Sequence, residues 1–239
     1  VWATLAFAVE NADENDEIVL AKGTHNLTEE KLVVGKRLTI RGEGEAWETS
    51  LNGRYNGNNS YRYHIELAAA GAVMHSLSVT NCYDGTIATL SVSADAVVSN
   101  VVFSSITTYS VGVLQMTAGL ATHCWVTNCT MGYYRLVYLQ GTSRMENCYL
   151  AANTCGNTTG GVVELGSDSA VLRNCTIVDN ITNDKGAVYA NSSAACYNNL
   201  IWGNVHTTSG AEDNWTANGT GKTGNWSYNC TTPLNGLTG

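Results

Sequence analysis

Asp168, Arg173, Asp179, Asp184 and Lys185 crowd into one short stretch and include both carboxylates and cations. Carboxylates beside cations can move protons, so Asp179, Asp184, Lys185 and Arg173 form a candidate catalytic set lining a groove. Their spacing does not by itself put them on one face, and a solvated surface is the plainer reading. Glu43, Glu45 and Glu48 beside Trp47 could hold calcium or a sugar, or form a solvated loop. His25, His64, His75, His123 and His206 are scattered without ligand spacing. No Gly-x-Ser-x-Gly elbow supports a serine nucleophile. Gly42-x-Gly44 and Gly219-x-Gly221 read as turns, because no strand-to-helix context follows them. The eight cysteines never form a Cys-x-x-Cys pair, which removes the simple zinc and dithiol readings.

These residues need a scaffold, and composition narrows it. The chain has 239 residues and a net charge of −8, with 13% charged and 44% hydrophobic residues. That apolar share builds a core. Scarce Lys and Arg argue against nucleic acid or an anionic membrane as partner, and no apolar run is long enough to span a bilayer. There are 25 Asn, 28 Thr and 24 Gly but one Pro, and this mix favours short strands joined by tight turns over a helical bundle.

A phrase of apolar residue, spacer, Asn and usually Cys recurs along the chain. It appears at Asn81-Cys82, Asn100-Val101, Asn128-Cys129, Asn147-Cys148, Asn174-Cys175 and Asn198-Asn199. The Asn residues are 19, 28, 19, 27 and 24 apart, which is solenoid spacing with insertions confined to loops. Stacking the copies predicts an inward Asn ladder of Asn81, Asn100, Asn128, Asn147, Asn174 and Asn198. It also predicts an inward cysteine column of Cys82, Cys129, Cys148 and Cys175. Three later residues, Asn153, Asn180 and Asn204, align as well. The position before each Asn is polar and should face water, where Glu146 and Arg173 would stack as an ion pair. Cys124, Cys155, Cys196 and Cys230 lie off the column and could form disulfides in an oxidising compartment. Leu5, Ala6, Ala8, Val9 and Ala12 fit one face of a helix capping the first coil. The expected organisation is a single domain: an N-terminal cap over 1–15, coils over 16–205, and an irregular segment over 206–239 that another chain could complete.

The opening residues, from Leu5 through Asp16-Glu17-Ile18-Val19-Leu20 and Gly23-Thr24 to Leu38-Thr39-Ile40-Arg41-Gly42, resemble the first coils of pectate-lyase-like right-handed parallel β-helix proteins. The later blocks are similar to the polymorphic outer-membrane and adhesin-like branch. Gly160-Gly161-Val162-Val163 and Gly186-Ala187-Val188-Tyr189 match one of its signatures. Leu150-Ala151-Ala152-Asn153, Ile177-Val178-Asp179-Asn180 and Ile201-Trp202-Gly203-Asn204 match the other, with an aliphatic residue in place of its aromatic. The resemblance implies an all-β solenoid. It also implies that an enzyme on this fold would carry an Arg or Lys base beside acidic calcium ligands, or clustered Asp; neither stands out here.

The functional expectation is a non-catalytic, extracellular or cell-surface, adhesin-like structural protein without a cofactor, self-associating head to tail into a filament or sheath. Eleven Asn-x-Ser/Thr acceptors, among them Asn26, Asn157, Asn180, Asn191, Asn214, Asn218 and Asn225, suit a secreted surface. The alternatives are a polysaccharide lyase or glycosidase and a glycan-binding module. Turnover of acidic polysaccharide that is lost on substitution of Lys185 or Asp179 would favour the enzyme. For the binding module, Tyr55, Tyr61, Tyr63, Tyr133, Tyr134, Tyr138, Trp202, Trp215 and Trp226 are the rings that could stack on sugars.

Overall fold

The computed structural model describes residues 4–27, 31–53, 63–85, 87–156, 160–219, 222–223 and 225–232. These form a parallel β-solenoid of about 8 turns, preceded by one short helix, Leu5–Asn11. Thr4 caps that helix by accepting from the Phe7 N–H, and Ala8 and Val9 turn its apolar side onto the first coil. The expected end cover is therefore present.

From the coil that begins at Val73 the chain passes through four faces per turn; the two coils before it have no described strand on the third. Strands such as Arg144–Glu146 build the first, Tyr149–Ala151 the second, Thr154–Cys155 the third and Val163–Leu165 the fourth. Successive coils pair in parallel, position over position. The interior is one continuous apolar column. Met145, Leu172 and Cys196 stack behind the first face, and Phe103, Val126, Leu150, Ile177 and Ile201 behind the second. After a detour between Val205–His206 and Trp215–Ala217, strands at Trp215–Ala217, Trp226–Ser227 and Cys230–Thr231 continue the fourth, first and second faces.

The bends between faces explain the repeated phrase and correct its alignment. From Val73 onward the chain turns twice through a single residue of left-handed conformation. Ser76, Asn100, His123, Asn147, Asn174, Asn198 and Tyr228 hold the first bend, all with φ between 51 and 57°. Asn81, Ser105, Asn128, Ala152, Asp179 and Gly203 hold the second. Asn reaches this conformation more readily than most L residues, because its amide bonds locally. The two bends stand five residues apart and select the same residue type. Asn81 and Asn128 therefore stack in one column, and Asn100, Asn147, Asn174 and Asn198 in the other.

The expected inward ladder of these six asparagines does not form, because a left-handed residue at a corner throws its side chain outward; all six are exposed. The inward position is the next residue. After the second bend, Asn153, Asn180 and Asn204 are fully buried, and their amides run in series: Asn153 Nδ2 donates to Asn180 Oδ1 (2.9 Å), Asn180 to Asn204 (2.8 Å) and Asn204 to Asn214 (3.0 Å). Each Oδ1 also accepts the backbone N–H of the coil before it, as at Asn153 (3.0 Å) and Asn180 (3.1 Å). The bend leaves this N–H without a strand partner, so the amide satisfies it.

The cysteines divide the same way. Cys124, Cys148 and Cys175 follow the first bend, and Cys82 and Cys129 follow the second, with Ile106 between them. The expected single column of Cys82, Cys129, Cys148 and Cys175 is thus two columns. All eight cysteines are free, so the disulfides that Cys124, Cys155, Cys196 and Cys230 could have formed are absent, and seven of the eight are buried. Cys148 accepts from Cys124 and Cys175, which draws its thiol down; donation to Cys148 and burial push Cys124 and Cys175 up. Burial raises Cys129 and Cys155 to about 12, with Cys129 adding to the rise at Cys155.

Candidate functional site

The candidate catalytic set is dispersed. Arg173 lies on the first face, where its Nη2 reaches Glu146 Oε2 at 2.8 Å and its Nη1 donates to the Tyr197 hydroxyl at 3.1 Å. This is the stacked Glu146–Arg173 pair read from the sequence. Asp179 occupies an exposed second bend, while Asp184 and Lys185 pair at 3.3 Å in the turn between the third and fourth faces. Glu48 in the acidic loop is taken by Lys22 (2.8 Å), and Trp47 beside it stands exposed. Of the rings expected outside, Tyr63 and Trp226 are buried, and Tyr55 and Tyr61 fall outside the described residues.

What the coils do bring together lies on the fourth face. Its strands alternate inward aliphatic and outward residues, and parallel register stacks Tyr138, Glu164 and Tyr189 in one outward column. Arg135 enters at the turn before this strand and lays its guanidinium over the Tyr138 ring, 3.7 Å from the centroid. The Glu164 carboxylate is covered by these neighbours and keeps 4% of its surface. Its Oε1 accepts from Asn191 Nδ2 (3.2 Å), while its Oε2 faces Arg135 Nε at 3.6 Å, too far to hydrogen-bond. Both facing atoms are left without a hydrogen-bond partner. Burial therefore pushes the Glu164 carboxyl above the ordinary carboxylate range, with Arg135 and the Asn191 amide pulling it partly back. Gln140 Nε2 bonds the Tyr138 hydroxyl (2.9 Å), and Lys185 borders the column with its ammonium 5.5 Å from the Tyr189 ring.

The chemistry of this patch is that of planar donors, amides and rings. Arg135 keeps 21% of its side chain exposed, and Tyr138, Gln115, Gln140 and Asn191 are half-buried around it. Such groups bind vicinal hydroxyls well, each offering flat, paired hydrogen-bonding geometry. Paired carboxylates acting on a glycosidic bond stand roughly 5–10 Å apart. In the described column the next carboxylate from Glu164 is Glu66, four coils away, or roughly 19 Å at about 4.8 Å per coil. Burial also raises the Tyr138 hydroxyl, which keeps it protonated and able to donate. Sequence reading passed over Glu164 and Arg135. The available signal was a carboxylate between two core aliphatics in Val163-Glu164-Leu165.

No family profile matches the chain, and no curated protein matches it. Among solved structures, an alginate lyase from a Paenibacillus species is similar at 14% identity and a TM-score of 0.36, over 90% of this chain and 96% of that one. A PL6 family polysaccharide lyase from Pseudopedobacter saltans aligns over 98% and 93%, at 9% identity and a TM-score of 0.37. ORF18 of Geobacillus virus E2 aligns at 9% identity and a TM-score of 0.35, over 94% of this chain and 55% of that one. The chain is a parallel β-solenoid with low-identity structural similarity to polysaccharide lyases.

Proposed function

We propose that the protein is a non-catalytic, extracellular, adhesin-like solenoid that holds carbohydrate on its fourth face. The observation that carries this reading is the half-engaged Arg135–Glu164 pair between two stacked tyrosines. A sugar hydroxyl both donates and accepts, so one that displaces Arg135 slightly satisfies Glu164 Oε2 and Arg135 Nε together. A pyranose that displaces Arg135 gains the Tyr138 ring face that the guanidinium covers. Asn26, Asn128, Asn174, Asn218 and Asn225, five acceptor asparagines, are exposed, which suits a secreted surface; Asn180 and Asn214 are buried in the ladder and cannot be modified in the folded chain. Head-to-tail association belongs to the same reading, and light scattering that finds only monomer at high concentration removes it.

The test is a glycan array followed by titration calorimetry. Soluble oligosaccharide should bind, and R135A should weaken binding at least tenfold while the circular dichroism spectrum stays unchanged. No retained glycan, or equal affinity in R135A, overturns the reading. The competing enzyme reading predicts unsaturated or reducing-end products from acidic polysaccharide, with activity lost in E164Q.

A further inference from the structure

The second face is long and uncharged; the third face, whose shorter outward column is Tyr83, Thr107, Thr130, Thr154, Ile181 and Val205, shares the lack of charge but not the length. Along its nine described strands, from Thr24 in the first to Cys230 in the last, neither outward column holds an Asp, Glu, Lys or Arg. The first face carries Glu17, Arg41, Arg144 and Arg173 outward, and the fourth carries Lys31, Glu66 and Glu164. In a chain with net charge −8, an uncharged face of this length offers nothing to an ionic partner.

Its shape is as informative. From Val79 onward the second face lies between bends of fixed length, so no loop rises from its edges and the surface stays flat. Nine strands at about 4.8 Å give it a length of roughly 38 Å. The N-terminal half is a polar ladder, with Ser50 bonded to Thr80 (3.0 Å) and Asn52 to Asn26 (2.8 Å). The C-terminal half exposes large apolar side chains: Trp125 (54% exposed), Leu200 (40%) and Trp202 (45%). Trp125 and Tyr149 sit on adjacent coils with ring centroids 5.5 Å apart. The Thr127 and Thr176 hydroxyls lie beside these rings on the same face.

From this we propose that the second face docks flat on an insoluble, neutral, β-linked polysaccharide, with Trp125 and Trp202 stacking on pyranose rings and Tyr149, inclined 59° to the Trp125 ring, buttressing it. Such a polymer presents a planar, uncharged surface of C–H faces edged with hydroxyls, which matches rings flanked by threonines and lacking charge. This site is separate from the fourth face and does not rest on the reading given for it.

Depletion of the purified chain onto microcrystalline cellulose and chitin powder, at low and high salt, tests the proposal. Retention on at least one powder should be insensitive to salt, since no ion pairs are involved. The W125A/W202A pair should lower the partition coefficient at least tenfold with an unchanged circular dichroism spectrum; W125F/W202F should restore most of it. Three results overturn the proposal: no retention of the folded chain on either powder, retention that falls with salt, or retention indifferent to both tryptophans. A dimer in light scattering that W125A/W202A dissolves also overturns it, because the face would then be an interface between copies.

Discussion

Glu164 shows how position rather than residue type creates a reactive group. A glutamate on an ordinary solenoid face is solvated, but here Tyr138, Tyr189, Asn191 and Arg135 cover it. Lys185, with its partner Asp184, completes the charged neighbourhood. The raised carboxyl holds its proton in the folded state at pH values where the unfolded chain has lost it. Its contribution is therefore most favourable below the ordinary glutamate value and is lost as pH rises through the folded one, at up to about 1.4 kcal/mol per pH unit. E164Q cannot ionise. Its urea midpoint should lack this decline and exceed that of wild type at neutral pH; identical pH profiles would show that Glu164 is solvated. The sequence carried only the carboxylate between two core aliphatics, not the neighbours that bury it. Arg135 and Glu164 come from different coils, and only the register of the fourth face brings them together.

The bend is the repeating element, and its rule was only half legible. The recurrence of Asn announced a turn column and a solenoid, both of which the structure contains. What one-dimensional reading could not resolve is that two bends five residues apart obey one rule. Asn81 and Asn147 look equivalent in sequence yet hold different corners. The inward ladder was visible only in its lower part, at Asn153, Asn180 and Asn204, because cysteines take the equivalent place in the earlier coils. Two substitutions separate the roles. Asn147→Gly should be nearly neutral, whereas Asn147→Val forces a β-branched residue into the left-handed region and should cost about 1–2 kcal/mol. Asn180→Ala removes an amide that donates to Leu150 O (3.0 Å) and Asn204 Oδ1 and accepts from Asn153. It should cost about 3 kcal/mol in urea unfolding, since buried partners are left unmet. A smaller loss at Asn180 than at Asn147→Val would mean that the ladder is dispensable.

At the scale of the molecule, strand and bend lengths stay constant while loops vary. Successive first bends from Ser76 are 24, 23, 24, 27, 24 and 30 residues apart, and the intervals between second bends from Asn81 follow the same order of 24, 23, 24, 27 and 24. All of the variation therefore falls in the two turns that flank the fourth face. A five-residue Gly/Ser insertion after Asp168, in one of those turns, should shift the melting temperature by only a few degrees. The same insertion after Cys148 displaces every inward side chain beyond it and should abolish the cooperative transition. Equal tolerance at both places would contradict a fixed frame.

That frame bears on descent. A stretch of DNA copied from one variable turn to the corresponding turn of the next coil adds a complete layer whose corners, core and amides already match its neighbours. The molecule acts as its own template for lengthening: duplication supplies a finished layer, and later divergence is free to rewrite the outward columns, as the uncharged second face and the tyrosine-flanked fourth face have been rewritten on the same interior.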